Sequence, residues 1–182
     1  MKAIILAAGY GTRLGNITRN LPKPMIDIGG KPVIEHILTR LAEYEITEIM
    51  VNVHYLSEII TDYLKNRVMY YHEPELLGHA GTIHALQNWL SGDFMVINGD
   101  TLNEINYSKM IAAHKLGTIT AHMDEWRCCG TWIYSSEYFD AKNLPVYPYR
   151  DGSRWFDIGN PARLEYARGY YDAKSTHSMP AM

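Results

Sequence analysis

The sequence predicts an α/β fold in which helices cover both faces of a mostly parallel sheet. Through residue 100, short apolar runs alternate with segments of helical periodicity, the order expected of parallel strands joined by right-handed helical crossovers. The apolar runs end in small or polar residues, and a chain of 182 residues is long enough to bury a core. Because ligands gather at the carboxyl ends of the strands in such sheets, the residues after each strand are the first site candidates.

The first half of the chain is predicted from its periodicity. The run KAIILA (2–7) is apolar throughout, as in a strand buried on both faces, whereas residues 8–24 hold the Gly, Asn and Pro of a loop. The segment 31–44 carries apolar residues at helical spacing and has Pro32 in its first turn. By the same criteria, the remaining elements are strands at 47–54, 67–73 and 93–99 and helices at 56–66 and 80–90.

Beyond residue 100 the pattern is looser. The predicted elements are a helix at 106–117, strands at 118–124 and 130–135, and a final helix at 160–171. No repeat or linker divides the chain, so the sequence predicts a single domain over 1–174. The last residues, 175–182, carry no pattern and are predicted to form a disordered tail.

Composition narrows the function. The net charge of −3 and the lack of a Lys/Arg run argue against nucleic acid as a partner, and no apolar run approaches the length of a membrane span. Cys128 and Cys129 are adjacent, and neighbouring cysteines rarely form an unstrained disulfide, so a reduced, cytoplasmic protein is expected. The N-terminal apolar run is better explained as a buried strand than as a secretion signal.

The loop after the first strand, LAAGYGTRL, has the composition of a phosphate-binding turn. A Walker P-loop is excluded because no Lys-Ser/Thr pair follows the glycines at the required spacing. A dinucleotide fingerprint is disfavoured, since Leu14 stands where a third glycine belongs and no acidic residue ends the second strand. The third interpretation is a loop whose small residues present backbone N–H groups to phosphate while Arg13 and Lys23 supply charge. A glycine turn with solvated cations is the alternative.

Six segments resemble the sugar nucleotidyltransferases, which make nucleoside-diphosphate sugars from an NTP and a sugar 1-phosphate. In chain order they are LAAGYGTRL, LPKPMI, GGKPVIEHIL, EPELLGHAG, VINGD and WFDIGNPARLEYA. The resemblance is strongest to the short guanylyl- or uridylyltransferases that act on heptose, mannose or N-acetylmuramic acid 1-phosphates. It implies a Rossmann-like three-layer α/β/α sandwich of the glycosyltransferase-A-like nucleotidyltransferase fold, with a nucleotide-binding half (1–104) and a shortened acceptor-binding half (105–174).

The resemblance implies roles for the loop residues. Arg13 would hold the β- and γ-phosphates that leave as pyrophosphate, and Lys23 would brace the α-phosphate. Together with Asp100, these two residues form the expected catalytic set. The expected nucleotide contacts are Leu6, Ala7, Ala8, Gly9, Gly11, Thr12, Arg13, Lys23, Glu73 and Gly78.

Asp100 and Asp157 correspond to the family's metal ligands. Asp100 follows the fourth predicted strand in INGD, and Asp157 precedes the last predicted helix in WFDIGNP. By position alone, each is better explained as a turn or cap residue. The resemblance instead implies that the two hold one Mg²⁺ between them, because a few carboxylates, phosphate oxygens and water are what this ion prefers.

The stretch HEPELLGHAGTI (72–83) resembles the segment that reads the base. The carboxylate of Glu73 can accept hydrogen bonds from a ring N–H and an exocyclic amine, which suits guanine and favours GTP. An exposed acid at a strand end would look the same in the sequence. His79 stands where the family usually has Thr, which leaves the base assignment open.

The acceptor site is the least defined part of the chain. Between the two aspartates there is no E-K-P-type motif, whose Lys grips the sugar phosphate in relatives. Gly130 and Trp132 belong to a segment that resembles the G-x-Y strand lining the sugar, although an ordinary amphipathic strand explains them equally well. Arg154, or alternatively Arg150, is the candidate to replace the missing lysine.

The sequence therefore predicts a Mg²⁺-dependent nucleotidyltransferase that transfers a nucleoside monophosphate from an NTP to a sugar 1-phosphate and releases pyrophosphate. One rival hypothesis is a phosphocholine- or phosphonate-type cytidylyltransferase, whose smaller acceptor suits the short middle of the chain. Another is a nucleotide-binding protein that has lost turnover. The base, the sugar and the oligomeric state, a homodimer included, are left open.

Overall fold

The computed structural model describes residues 1–141 and 143–177, and a seven-stranded sheet lies at its centre. The strands of this sheet and of two short ribbons are β1 (Lys2–Leu6), β2 (Asp27–Ile28), β3 (Lys31–Pro32), β4 (Glu48–Val53), β5 (Met69–His72), β6 (Phe94–Asn98), β7 (Thr101–Asn103), β8 (Ile119–Met123), β9 (Cys128–Tyr134), β10 (Val146–Tyr149) and β11 (Trp155–Asp157). The helices are α1 (Val33–Glu43), α2 (Ser57–Leu64), α3 (Gly78–Ala85), α4 (Tyr107–Ala113) and α5 (Pro161–His177).

The central sheet is mixed, with one antiparallel strand in an otherwise parallel set. Its strand order is β10-β8-β9-β6-β1-β4-β5. β1 pairs in parallel with β4 and β6, and β4 pairs in parallel with β5, whereas β9 runs antiparallel to both β6 and β8. The carboxyl ends of β1, β4, β5 and β6 therefore meet at one edge of the sheet, and the predicted α/β class with a mostly parallel, mixed sheet is confirmed.

Successive side chains of the central strands enter two cores, one on each face of the sheet. On β1, Ala3 and Ile5 pack into a core that includes residues of α1, α2, α4 and α5, while Ile4 packs into a smaller core with Ile83 of α3. All four side chains are fully buried, and burying an Ile contributes about 1.5–3 kcal/mol. Burial on both faces explains why the first strand is apolar throughout rather than alternating.

Near the N-terminus the structure differs from the prediction at two places. The segment 8–24, predicted as loop, contains 3-10 turns at Thr12–Thr18 and Lys23–Met25. Pro32, predicted in the first turn of a helix, instead pairs with Asp27 in the β2–β3 ribbon and stands at the cap position of α1. The ribbon is too short to produce a periodic signal, so its pairing overrides the local preference of proline for a first helical turn.

The chain after residue 100 also differs from the prediction. β7, β10 and β11 were not predicted, because each spans only a few residues and carries no sustained alternation of apolar and polar residues. The final helix runs to His177, beyond the predicted end at residue 171 and into the predicted tail. Residues 178–182 of that tail lie outside the described residues.

The strand β9 is irregular where it passes β7. Ala121 of β8 pairs with Trp132, but Met123 pairs with Cys128, so β9 contains extra residues between the two pairs. Gly130 lies in this bulge with φ of +74°, and a Cβ there would stand 2.7 Å from the Oγ1 atom of Thr101. A glycine is thus required twice, for its left-handed backbone and for the close approach of β7.

Substitution of Gly130 by Ala tests this close approach. The left-handed conformation alone costs about 1–2 kcal/mol for a residue with a Cβ. Gly152 serves as the matched control, because its φ is +70° but nothing lies within 4 Å of its Cβ position. In denaturant unfolding we expect Gly130→Ala to lower the free energy of unfolding by about 1 kcal/mol more than Gly152→Ala, the cost of overpacking. Equal losses in the two variants would show that Thr101 does not press on β9.

Candidate active site

Two neighbouring cavities open at the carboxyl edge of the sheet. The loop cavity, about 330 Å³ in volume, lies between the loop after β1 and the start of α3, and its lining includes Leu6, Ala7, Ala8, Gly9, Gly11, Lys23, Glu73, Gly78, His79 and Thr82. The aspartate cavity, about 140 Å³, has a lining that includes Arg13, Thr101, Arg127, Gly130, Trp155 and Asp157. Asn98 and Asp100 line both cavities, so the two form one continuous site.

The structure brings most of the sequence-predicted site residues to these cavities. The predicted nucleotide residues line the loop cavity, except for Arg13, which lines the aspartate cavity, and Thr12, which lines neither. The predicted metal ligands, Asp100 and Asp157, share the aspartate cavity. The predicted acceptor residues separate, because only Gly130 lies at this site.

Backbone contacts hold the loop after β1 against the sheet. The Ala7 N–H donates to the Oδ1 atom of Asn52, 2.6 Å away. The Gly99 N–H donates to the Leu6 carbonyl at 2.8 Å, and a Cβ at Gly99 would stand 2.7 Å from that oxygen. Only a residue without a side chain fits between β6 and β1 at this point, which explains the glycine of the VINGD segment.

The two glycines of the loop serve different purposes. Gly11 has φ of +68°, its carbonyl accepts a hydrogen bond from the Thr18 hydroxyl at 2.9 Å, and a Cβ there would lie 2.9 Å from the Cγ2 atom of Thr18. Gly11 is therefore needed to close the loop on itself. No atom lies within 4 Å of the Cβ position at Gly9, so the backbone at Gly9 is the part of the loop that a ligand can approach closely.

Lys23 and Asp100 form an ion pair at the boundary between the two cavities. The Nζ atom of Lys23 lies 2.5 Å from the Oδ2 atom of Asp100. Only 9% of the Lys23 surface is exposed, and about a quarter of the Asp100 side chain is exposed. The ammonium group is thereby fixed by a charged partner rather than by solvent. Lys23 lines the loop cavity, and its partner Asp100 lines both cavities.

Asp157 reaches the same cavity through strand pairing. β11 pairs antiparallel with β7, which sets Asp157 opposite Thr101, and the Ile158 N–H donates to the Asp100 carbonyl at 3.2 Å. The Oδ2 atom of Asp157 lies 2.5 Å from the Nη1 atom of Arg163, a residue in the first turns of α5. Each aspartate of the cavity is thus paired with one cation from a different element.

Arg13 approaches the Asp157 side of the aspartate cavity. A Cβ at Gly159 would lie 2.5 Å from the Oδ1 atom of Asp157 and 3.2 Å from the Nη2 atom of Arg13. Gly159 therefore leaves the space that the Arg13 guanidinium occupies. Among the described residues Arg13 has no ion-pair partner, and its side chain is exposed to solvent, so its charge is available to an anion in the cavity.

Glu73 is held by a buried hydrogen-bond network. Its Oε1 atom accepts hydrogen bonds from the Asn52 amide, 2.8 Å away, and from the Thr82 hydroxyl, and its Oε2 atom accepts from the Leu77 N–H at 3.2 Å. Glu73 is 4% exposed. The carboxylate therefore ties the segment before α3 to β4, and through the Ala7 contact of Asn52 to the loop after β1. The sequence interpretation of an exposed strand-end acid is wrong.

His79 and Trp132 form an aromatic wall beside the loop cavity. The two rings meet edge to face with centroids 4.5 Å apart, and the Nε2 atom of His79 lies 2.9 Å from the Tyr134 hydroxyl. Burial lowers the pKa of His79 below its usual value, so the imidazole is neutral near pH 7. His79 itself lines the cavity, whereas Trp132, predicted as an acceptor contact, supports His79 from behind.

Arg154 does not fit its predicted role as a phosphate clamp. Alternate residues of a strand point to opposite faces, and on β11 Trp155 and Asp157 line the aspartate cavity. Arg154 lies on the other face, with its guanidinium carbon 5.1 Å from the centre of the Tyr170 ring of α5. Arg150, the alternative candidate, donates to the Asp124 carbonyl at 3.2 Å and also lies outside both cavities.

Three functional candidates were missed at the sequence level. Asn52 is the polar residue within the buried run 49–53 of β4, a signal that the sequence does contain. Arg163 lies inside the quoted segment WFDIGNPARLEYA, but its pairing with Asp157 needs the turn into α5. Arg127 lies at the tip of the β8–β9 hairpin and carries no local signal, because only the fold brings this tip to the aspartates.

The described residues contain no group of three or more His, Cys, Asp or Glu side chains that could hold a metal ion on its own. A metal here would need oxygens from a ligand in addition to Asp100 and Asp157. In the described part of the chain, no helix combines the length and the apolar character needed to cross a membrane. The arrangement as a whole offers two carboxylates and several fixed cations beside an open loop backbone, which suits a metal-bound polyphosphate.

The fold and the site together define an α/β protein with a candidate phosphate-binding site at the carboxyl edge of its sheet. Residues 2–123 match the family model described as nucleotidyl transferase, and the chain belongs to this family. The resemblance to the nucleotidyltransferases that the sequence motifs indicate is thereby confirmed.

Individual relatives extend this similarity. The chain is 42% identical over 113 residues to the bifunctional protein GlmU of Methanococcus maripaludis, covering 61% of this chain and 27% of that protein. It is 38% identical over 115 residues to the D-glycero-alpha-D-manno-heptose 1-phosphate guanylyltransferase of Campylobacter jejuni, covering 60% of this chain and 52% of that protein. The chain thus spans about a quarter to about half of the length of these relatives.

Among solved structures, the chain is similar to HddC from Yersinia pseudotuberculosis complexed with GMP-PN. The TM-score is 0.79, the sequences are 24% identical, and the alignment covers 93% of this chain and 99% of that one. At this identity the similarity shows the fold, and it confirms the predicted architecture.

Removal of the Glu73 carboxylate tests whether the residue supports the structure. We expect Glu73→Ala to lower the free energy of unfolding without any ligand by about 1–3 kcal/mol, because the Asn52 amide and the Leu77 N–H each lose an acceptor. Glu75→Ala, two residues away and exposed, is the control and should be neutral. A Glu73→Ala chain as stable as wild type in thermal and denaturant unfolding would contradict the network.

Proposed function

We propose that the chain is a nucleotidyltransferase that transfers a nucleoside monophosphate from an NTP to a sugar 1-phosphate and releases pyrophosphate. The observation that carries this proposal is the meeting of Lys23, Asp100 and Asp157 beside a loop whose backbone at Gly9 is open. Membership of the nucleotidyl transferase family and the guanylyltransferase among the relatives support it.

In the proposed reaction, an oxygen of the acceptor phosphate attacks the α-phosphorus of the NTP. A new P–O bond forms to that oxygen while the bond from the α-phosphorus to the bridging oxygen breaks, and pyrophosphate leaves with the electron pair. The chain needs to align the two phosphates and neutralise charge, and no proton-transfer residue is required.

Four features of the loop cavity and its surroundings have proposed roles in this scheme: the backbone at Gly9, Lys23, Arg13, and the pair formed by Gly78 and His79. The open backbone at Gly9 lies against the nucleotide, and Lys23, held by Asp100, faces the α-phosphate from the wall of the loop cavity. Arg13 neutralises the charge that builds on the departing pyrophosphate, for which its fork of N–H donors is suited. Neutral His79 and Gly78 line the loop cavity at the start of α3, where the base is proposed to lie.

Asp100 and Asp157 are the residues proposed to hold a Mg²⁺ ion. Their shared cavity fits the ion, because two carboxylates leave its remaining positions to triphosphate oxygens and water, the ligand set that Mg²⁺ prefers. When bound, the ion neutralises phosphate charge and helps to orient the reacting groups. Lys23 and Arg163 balance the two carboxylates from the protein side.

Guanine is the proposed base. The Campylobacter jejuni relative is named a guanylyltransferase, and the similar Yersinia pseudotuberculosis structure holds GMP-PN. Because the Glu73 carboxylate already accepts three hydrogen bonds within the protein, we assign to it the positioning of the segment up to Gly78 in addition to any base contact.

Pyrophosphate release with a panel of NTPs and phosphorylated acceptors tests the proposal. We expect turnover with GTP and a sugar 1-phosphate in the presence of Mg²⁺, and a larger rise in the melting temperature with GTP than with UTP, CTP or dTTP. Turnover with CTP and phosphocholine or a phosphonate would instead indicate a cytidylyltransferase. Nucleotide binding without turnover on any acceptor would identify a binding protein.

The same assay includes a matched pair of arginine variants. Arg13→Ala should lower kcat by roughly two decades or more, the scale of losing one fixed charge-stabilising contact. Arg19→Ala removes an exposed arginine of the same segment and should leave kcat unchanged. A rise in the KM for NTP with kcat unchanged in Arg13→Ala would make Arg13 a simple binding contact and overturn its role.

A further inference from the structure

The aspartate cavity contains one cation for which the reaction has so far given no task. Lys23 and Arg163 are paired with the two aspartates, and Arg13 is assigned to the departing pyrophosphate. The acceptor phosphate is a further dianion that must lie beside the α-phosphate, next to two carboxylates. Without a cation of its own, this group would be repelled from the cavity. Among the described residues that line the cavity, the remaining basic side chain is Arg127.

The hairpin between β8 and β9 holds Arg127 in place. The Asp124 N–H donates to the Arg127 carbonyl at 3.1 Å, which closes the turn. The Oδ1 atom of Asp124 accepts hydrogen bonds from the N–H groups of Trp126 and Arg127, each 2.8 Å long. The tip that carries Arg127 is therefore an ordered turn, so a ligand that binds there does not have to order it.

Neighbouring residues orient the side chain of Arg127 but leave its N–H groups without acceptors among the described residues. Its guanidinium carbon lies 4.4 Å from the centre of the Trp155 ring, and its Nε atom lies 3.7 Å from the Oδ2 atom of Asp124. The side chain is half exposed, and among the described residues the guanidinium donates no hydrogen bond. Stacking on one face leaves the N–H groups at the edge of the guanidinium free for the bidentate grip that suits phosphate.

Side chains alternate between the two faces of β11, and this alternation places Arg127 on the same face as Asp157, the proposed metal ligand. Trp155, on which Arg127 stacks, and Asp157 lie on the same face of β11, and both line the aspartate cavity. A phosphate held by Arg127 would therefore lie on the carboxylate side of the ribbon. Arg154, an arginine that also stacks on an aromatic ring, lies on the opposite face against Tyr170.

We infer that Arg127 binds the phosphate group of the acceptor, a phosphomonoester dianion, with Trp155 as the platform that orients the guanidinium. This inference rests on the proposed function, because it assigns a residue to the second substrate of that reaction. It also explains how the chain can bind the acceptor phosphate although the stretch between Asp100 and Asp157 lacks the E-K-P-type motif, whose lysine grips that phosphate in relatives.

Steady-state kinetics of three variants test the assignment. Arg127→Ala should raise the KM for the acceptor by roughly 10- to 100-fold, the effect of losing a charge-assisted contact, while the KM for NTP and the NTP-induced rise in melting temperature stay as in wild type. Arg127→Lys should restore only part of the loss, because an ammonium lacks the planar fork. Arg154→Ala is the matched control and should leave the acceptor KM unchanged. An acceptor KM unaltered in Arg127→Ala would overturn the inference.

A binding measurement separates this inference from the proposed function. Inorganic phosphate is titrated calorimetrically into the chain saturated with a non-hydrolysable GTP analogue and Mg²⁺, so that the nucleotide phosphate contacts are already filled. We expect binding to wild type and to Arg154→Ala, and its loss in Arg127→Ala. If no acceptor of the panel turns over but this pattern holds, the proposed function fails and the phosphate site stands. If phosphate binds equally to Arg127→Ala, the assignment fails whatever the turnover.

Discussion

The candidate active site depends on the antiparallel pairing of β11 with β7. This ribbon sets Asp157 opposite Thr101 and, through the Ile158 N–H, ties it to the backbone of Asp100. The two aspartates are far apart in the chain, and no local feature of either segment would bring them together. The bulge at Gly130 serves the same end, because it lets Thr101 pack directly against β9.

Charge placement around the ribbon follows from this geometry. Two carboxylates in one small cavity would repel each other, and each is balanced by a cation from another element, Lys23 before α1 and Arg163 on α5. The remaining arginines of the described lining, Arg13 and Arg127, lie in the same cavity without a carboxylate of that cavity as partner. In the proposed reaction, Arg13 faces the departing pyrophosphate and Arg127 faces the incoming acceptor phosphate.

Much of the fold could be predicted because the central strands are buried on both faces and their helices are amphipathic. The apolar run at 2–7 and the apolar spacing in 31–44 both correspond to elements of the structure. The short strands β7 and β11 could not be predicted, since their pairing comes from tertiary contacts. Consequently the sequence did not reveal which residues around β11 point towards the cavity. Arg154 was predicted to lie in the cavity, although its side chain lies on the opposite face.

Titration with Mn²⁺, followed by electron paramagnetic resonance in the presence of a non-hydrolysable GTP analogue, tests most directly whether the β7–β11 pairing creates a joint metal site. The account predicts one ion per chain, with affinity lowered roughly tenfold or more in Asp157→Asn and in Asp100→Asn alike, the scale seen when support of a metal is lost. Asp62→Asn, at an exposed position of α2, is the control and should bind as wild type does. Undiminished affinity in Asp157→Asn would contradict the account.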